Sequence, residues 1–175
     1  MVGKGAARPD RNSSNEVMQR KRSSGKSVKQ SVHKLEIATR GQGLYEFTST
    51  INEWLRRQNL QTGLLTVFCR HTSASLLIQE NADPTVRRDI KAYFERLAPE
   101  DGPYAHNSEG PDDMPAHLKT ALTQVQLSIP VVGGELVLGT WQGVFLFEHR
   151  AHPHRRHIVL HLIGERAGLR PSSVP

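Results

Sequence analysis

Residues 133–148 read GGELVLGTWQGVFLFE, and the fold follows from how this stretch is read. The adjacent Gly133 and Gly134 mark a turn. Glu135 to Leu138 and Gln142 to Glu148 are rich in β-branched, aromatic and other apolar residues, which favours two strands. Gly139 and Thr140 between them predict a bend or a bulge. Trp141 and Gln142 sit beside that bend and carry an indole N–H and a primary amide. The stretch therefore predicts either a core Trp at a β-bulge or one wall of a cleft.

Working outward, Val125 to Val132 and His157 to Ile163 read as strands on either side. Further upstream, Ser31 to Arg40 alternates, with Val32, Leu35 and Ile37 against polar neighbours, and predicts a first strand. Thr48 or Ser49 is placed to cap a helix carrying Ile51, Trp54 and Leu55. Leu64 to Phe68 is a continuous apolar run and Ser75 to Gln79 a second, forming one bent strand or two neighbours. Asp83-Pro84 is a helix start, followed by Val86, Ile90, Tyr93, Phe94 and Leu97 at helical spacing. A polar loop from Pro99 to Pro111 is long for a compact domain, which suggests a functional segment. Asp112 or Asp113 then caps a short helix through His117, Leu118 and Leu122.

Strands joined by hairpins with helices between them predict an α+β domain with a mainly antiparallel sheet and about three helices. Val144 to Phe147 needs cover on both faces, more than one layer of helices gives, so the chain is expected to oligomerise.

The 175 residues fit one domain plus tails. Residues 1–31 hold eight Lys/Arg against Asp10 and Glu16, whereas the remainder carries 15 charges of each sign. The net charge of +6 thus belongs to the first segment, and groove binding of nucleic acid by the folded domain is not expected. Residues 1–31 are too polar to form a core and read as a disordered basic tail, residues 32–166 as the domain, and 167–175 as a C-terminal tail. The single Cys69 excludes an internal disulfide and fits a reducing, cytoplasmic setting. Its apolar neighbours favour a buried structural thiol. No apolar run approaches membrane-spanning length, and no secretory signal is visible.

Nine histidines are many for this length. His71 follows a strand, His106 lies in the long loop, and His117 stands four residues after Asp113 on one helix face. Three imidazoles around a divalent ion, with a site left for water, make a catalytic zinc centre, although spacings of 35 and 11 residues match no compact motif. Three unrelated histidines are the plainer alternative. Glu80 has no structural role assignable from sequence. Glu148 ends the central strand, with Arg155 and Arg156 close behind as phosphate-clamp candidates. Five histidines crowd 149–161, but their parity and the intervening Pro153 argue against a metal tract there.

The segments His71-Thr72-Ser73-Ala74-Ser75, Glu80-Asn81, Asp83-Pro84-Thr85-Val86, Asp112-Asp113-Met114-Pro115-Ala116-His117, Gly139-Thr140-Trp141-Gln142-Gly143 and Glu148-His149-Arg150 together resemble the YjbQ family of secondary thiamine-phosphate synthase enzymes, over about residues 32–166. The resemblance implies a small α+β domain assembled as a homotrimer. It implies a site near subunit contacts that contains His71, His106 and His117 with a nearby acid. It also implies a secondary activity that joins a thiazole phosphate to hydroxymethylpyrimidine pyrophosphate. On this reading the three histidines hold a divalent metal, zinc, and Arg155 or Arg156 neutralises the phosphate of a small-molecule substrate. Glu80 or Glu148 transfers a proton or orients water, and Trp141 and Gln142 form the cleft wall. The alternative is a trimeric module that binds a phosphometabolite or a protein without catalysis.

Overall fold

A computed structural model of the chain describes residues 28–166. The readings made for residues 1–27 and 167–175 lie outside the described residues. In chain order the elements are β1 (Val28–Ala38), β2 (Gly43–Glu46), α1 (Thr48–Arg56), β3 (Leu60–Cys69), β4 (Ala74–Glu80), α2 (Pro84–Leu97), α3 (Asp113–Ala121), β5 (Gln126–Val132), β6 (Glu135–Leu136), β7 (Gln142–Glu148) and β8 (Arg155–Arg166). The first strand starts ahead of the sequence boundary at 31, because Val28 to Ser31 pair with Glu165 to Leu162 of β8. Backbone pairing there outweighs the polar composition.

The strands form two antiparallel sheets, one of five strands in the order β1-β8-β3-β5-β6 and one of three in the order β2-β7-β4. Alternation decides which side chains face inward. In β5, Leu127, Ile129 and Val131 are buried between exposed neighbours. In β8, Ile158, Leu160 and Leu162 are buried between exposed or half-buried neighbours. These side chains meet Leu76, Val144 and Leu146 of the smaller sheet in one apolar core. Ile51 and Leu55 of α1 close one end of it.

The helices start where expected, by partly different means. The Asp83 carboxylate accepts a hydrogen bond from the Thr85 N–H at 2.7 Å and caps α2. Thr48 caps nothing. Its hydroxyl donates to Glu46 and accepts from the Val144 N–H at 2.9 Å, tying α1 to β7. The αL residue Asn59, at φ 53°, follows the end of α1.

Three expectations change. The runs ending at Phe68 and starting at Ser75 belong to β3 and β4, which lie in different sheets. Residues 135–148 also cross between sheets. Gly133 and Gly134, both at positive φ, make the β5–β6 hairpin turn. A turn closed by Gln142 N–H to Gly139 C=O at 2.9 Å then sends the chain into the smaller sheet. The predicted bulge is this crossover, and Trp141 on it is 63% exposed rather than core. Third, Val144 to Phe147 is fully covered within the subunit. Val144 and Leu146 face the other sheet. Phe147 packs edge-on against Phe94 of α2, with ring centroids 5.3 Å apart. The apolar surface left open is instead the outer face of the larger sheet, where Val32, Leu64, Phe68, Val132 and Ile163 are exposed. Among the described residues no helix is long and apolar enough to cross a membrane.

Candidate metal centre

Helix α3 presents Asp113 and His117 on one face, one turn apart. The preceding loop returns His106 to the same point. The His106 Nε2 lies 3.3 Å from Asp113 Oδ2, and His117 Nε2 lies 3.5 Å from Asp113 Oδ1. The two rings are 5.3 Å apart between centroids. One donor atom from each of the three residues falls within 4.8 Å of the others. His117 Nδ1 is 3.0 Å from the Thr72 carbonyl oxygen. A carbonyl only accepts, so Nδ1 carries a proton, and Nε2 is the ring atom turned toward the cluster and available to ligate. Two imidazoles and a carboxylate suit zinc or a similar divalent ion.

The acid of this cluster is held from behind. Arg150, just past the end of β7, is buried together with Asp112 and Asp113. Its Nε donates to Asp112 Oδ2 at 3.1 Å and its Nη1 to Asp113 Oδ1 at 2.8 Å. Nη1 also reaches Glu109 Oε2 at 3.3 Å, and Nη2 donates to the Glu109 carbonyl oxygen at 2.8 Å. The Ala151 N–H adds a bond to Asp112 Oδ2 at 2.7 Å. Asp112 makes no side-chain cap for α3. The reading of one acid of this pair as a helix cap therefore gives way to an ion-pair network in which Asp113 also faces the histidines.

His71 does not join His106 and His117 within the subunit. Its Nε2 accepts the His157 backbone N–H at 2.7 Å, and its ring stacks on that of His157. Burial, with nearby Arg156 and His157, lowers its pKa and keeps it neutral. It does share a cleft of about 590 Å³ with His117, whose other walls include Phe68, Arg70, Ala121 and Val125.

Glu148 and Arg156 are not free for the roles read from sequence. Both are buried, and Arg156 Nε donates to Glu148 Oε2 at 2.7 Å while Nη2 donates to Oε1. The Thr39 hydroxyl and the Arg150 N–H donate to the same carboxylate. Burial alone would raise the Glu148 pKa, but the Arg156 guanidinium and these donors outweigh it and hold the pKa low. A carboxylate so engaged is a poor proton carrier, and its guanidinium partner is already neutralised. Arg155 points outward and pairs with Glu36 at 2.6 Å.

Glu80, Trp141 and Gln142 do come together, but at the opposite end of the smaller sheet. Glu80 is the register partner of Gln142, whereas Ala74 partners Glu148. Six strand steps separate those pairs, about 20 Å at ~3.3 Å per residue. Glu80 and Trp141 line a separate open cleft with Asp83 and Pro84. The Gln142 side chain accepts the Gly139 N–H at 2.8 Å.

The histidines of 149–161 scatter. His149 is buried against Ser75, its Nε2 2.9 Å from the hydroxyl. Burial, with Lys119 and Arg156 nearby, drives its pKa down to about 3. His157 and His161 lie on β8 beside Glu36 and Gln30. Cys69 is buried, and burial pushes its pKa up to about 11, as a structural thiol requires.

The motif resemblance is met by a whole-domain match. Residues 33–165 fit the family model described as UPF0047 protein YjbQ-like. The chain belongs to the YjbQ family. A Synechocystis UPF0047 protein is 53% identical to it over 144 residues, covering 82% of this chain and 98% of the relative. The YjbQ protein of Escherichia coli O157:H7 is 42% identical over 132 residues, covering 75% and 96%. Among solved structures, a conserved hypothetical protein from Thermus thermophilus is 37% identical with a TM-score of 0.66, covering 73% of this chain and 97% of its own. A Sulfolobus solfataricus protein titled YbjQ-like and of unknown function superposes at a TM-score of 0.74 over 79% of this chain and 100% of its own. At 24% identity that likeness shows the fold alone. The family is of uncharacterised function, so its name carries the fold and not a reaction.

Proposed function

We propose that this YjbQ-family protein is a metal-assisted enzyme acting on a phosphorylated small molecule, with the reaction at its histidine end. The observation that carries this reading is the cluster of His106, Asp113 and His117 beside the cleft that His117 lines. A zinc ion held there would supply positive charge to a phosphate or pyrophosphate oxygen. The cleft is mainly apolar, and Arg70 at its wall has no ion-pair partner among the described residues. Arg70 thus takes the phosphate-recognition role that Arg156 is too well paired to fill.

The reaction proposed is the secondary thiamine-phosphate synthase step. The thiazole nitrogen forms a bond to the methylene carbon of the pyrimidine as the bond from that carbon to pyrophosphate oxygen breaks, and pyrophosphate leaves. The cleft residues would hold the two substrates in line, and Arg70 would bind an anionic end. We further propose a homotrimer, formed by covering the outer face of the five-stranded sheet. An apolar face of this kind is unusual on a monomer. A cytoplasmic setting fits the single reduced cysteine.

A second reading, a trimeric module that binds a phosphometabolite without turnover, draws on the pairing of Glu148 with Arg156. That pairing removes two of the groups that catalysis was expected to use. Incubation of purified protein with hydroxymethylpyrimidine pyrophosphate and thiazole phosphate separates the two readings. The enzyme account expects thiamine phosphate and pyrophosphate in equal amounts, lost in His117→Ala. Tight substrate binding with no product supports the module. A native mass of one subunit would remove the trimer.

A further inference from the structure

Arg150 is a buried cation with no part in the ligand set, yet every atom of its fork is committed. Nε is fixed by Asp112, Nη1 by Asp113 and Glu109, and Nη2 by the Glu109 carbonyl. Its own backbone N–H is held by Glu148 Oε1 at 3.0 Å, and Glu148 is clamped in turn by Arg156. The guanidinium therefore has little freedom to rotate. It donates to Asp113 Oδ1 at 2.8 Å, an oxygen that also lies 3.5 Å from His117 Nε2, while Oδ2 faces His106 at 3.3 Å and takes a bond from the Glu109 N–H at 3.3 Å.

We propose that Arg150 is a positioning residue of the metal centre, which holds Asp113 through one oxygen and so sets the affinity and the ion selectivity of the site. This rests on the metal-centre reading above. The reasoning is one of ligand count. A carboxylate with both oxygens free can bind an ion through two, which suits ions that prefer many oxygen ligands, such as manganese and calcium. Oδ1 accepts a short bond from a charged guanidinium at 2.8 Å and Oδ2 only a longer one from a neutral backbone N–H at 3.3 Å, which leaves Oδ2 the better electron donor to an ion. Two imidazoles and a single carboxylate oxygen favour zinc. The guanidinium also draws charge from Asp113, with Asp112 balancing the cation, so the pocket is not left with two uncompensated acids. Lysine cannot reproduce this, because a point charge has no planar fork to hold three partners at once.

The test is competitive titration of chelator-stripped full-length protein with Zn²⁺ and, separately, Mn²⁺, for wild type, Arg150→Lys and Asp112→Asn. Asp112→Asn leaves the three ligands untouched and loosens one arm of the fork. Loss of an outer-shell partner typically weakens metal binding about 10- to 100-fold. Arg150→Lys is expected to lower zinc affinity by that factor and manganese affinity by less, so the zinc-to-manganese ratio narrows. Asp112→Asn should move the ratio the same way by a smaller factor. A purely structural role would lower both ions equally. Zinc affinity within about threefold of wild type, or an unchanged ratio in folded Arg150→Lys, overturns the inference while leaving the metal centre standing. If Arg150→Lys does not fold, an unchanged ratio in Asp112→Asn overturns it instead. Wild-type protein that takes up neither ion overturns the metal centre itself, and this inference with it.

Discussion

The two ends of the three-stranded sheet carry the same kinds of residue and treat them in opposite ways. At one end of β7, Glu148, Arg150 and Arg156 are buried and bonded to one another, to Asp112 and to Asp113. At the other end, Trp141 and Gln142 lie on an exposed turn, and Glu80 and Asp83 line an open cleft with Trp141. Side chains at the buried end are fixed by several partners each, so their geometry is built before any ligand arrives. Those at the open end are held only by local bonds, Asp83 to the Thr85 N–H and Gln142 to the Gly139 N–H, and not by a buried network. Catalytic and metal chemistry depends on preorganised groups. The buried end is therefore the better candidate for it, even though the Trp-Gln motif is the more conspicuous in the sequence.

The comparison can be broken most sharply at Arg156. Arg156→Met leaves Glu148 as a buried charge without its partner, and removal of one member of a buried pair costs about 3–5 kcal/mol. Denaturant unfolding at pH 7 should register that loss. A change below about 1 kcal/mol, the level of exposed pairs, would mean that this end is solvated like the other. The pair also has an acid limit. Because the folded-state pKa of Glu148 is depressed, its contribution is present above the ordinary carboxylate pKa and fades as pH falls through the lower folded value.

His149 supplies the next largest effect, at a higher pH. Its folded pKa is near 3 against an ordinary value of 6.5. Below pH 6.5 the unfolded chain takes up a proton that the folded one refuses, so stability falls as the pH drops. From pH 8 to pH 5 the wild type should lose about 2 kcal/mol more than His149→Gln does. Equal losses would place water beside that imidazole. Trp141→Ala marks the small end of the scale. An exposed side chain on a turn should change stability by no more than about 0.5 kcal/mol. A larger loss in the isolated subunit would show that the open end is packed after all.

How much of this was legible in the sequence depended on the range of the interaction. The strands of the larger sheet were readable because burial alternates with a period of two, as in Leu127-Ser128-Ile129. The Asp83-Pro84 start of α2 was readable because a cap is a local bond. One acid of the Asp112–Asp113 pair was read as a cap, and neither side chain fills that role. A capping Asp and a ligating Asp look alike in sequence, and the guanidinium that decides the matter lies 37 positions away. The spacing to His117 was the available signal for it. His71 was grouped with His106 and His117 by its place after a strand and by the family resemblance. The chain leaves the larger sheet after Cys69 and enters the smaller one at Ala74, and the His71 ring between them stays with His157 of β8. Of the two readings of Trp141, the cleft wall holds, since it lines the open cleft with Glu80, and the core reading fails because nothing local reveals that the chain changes sheets there. Apolar composition correctly marked Val144 to Phe147 as buried on both faces, but the cover comes from the second sheet and α2, not from another subunit.

The central claim is that the metal centre is His106, Asp113 and His117. Crystals grown with zinc and measured above and below the zinc absorption edge test it most directly. The account predicts one anomalous peak per subunit at about 2.0–2.2 Å from His106, Asp113 and His117, absent from crystals of His117→Ala. A peak instead on His71 and His157, or at the Glu80–Trp141 cleft, would contradict it.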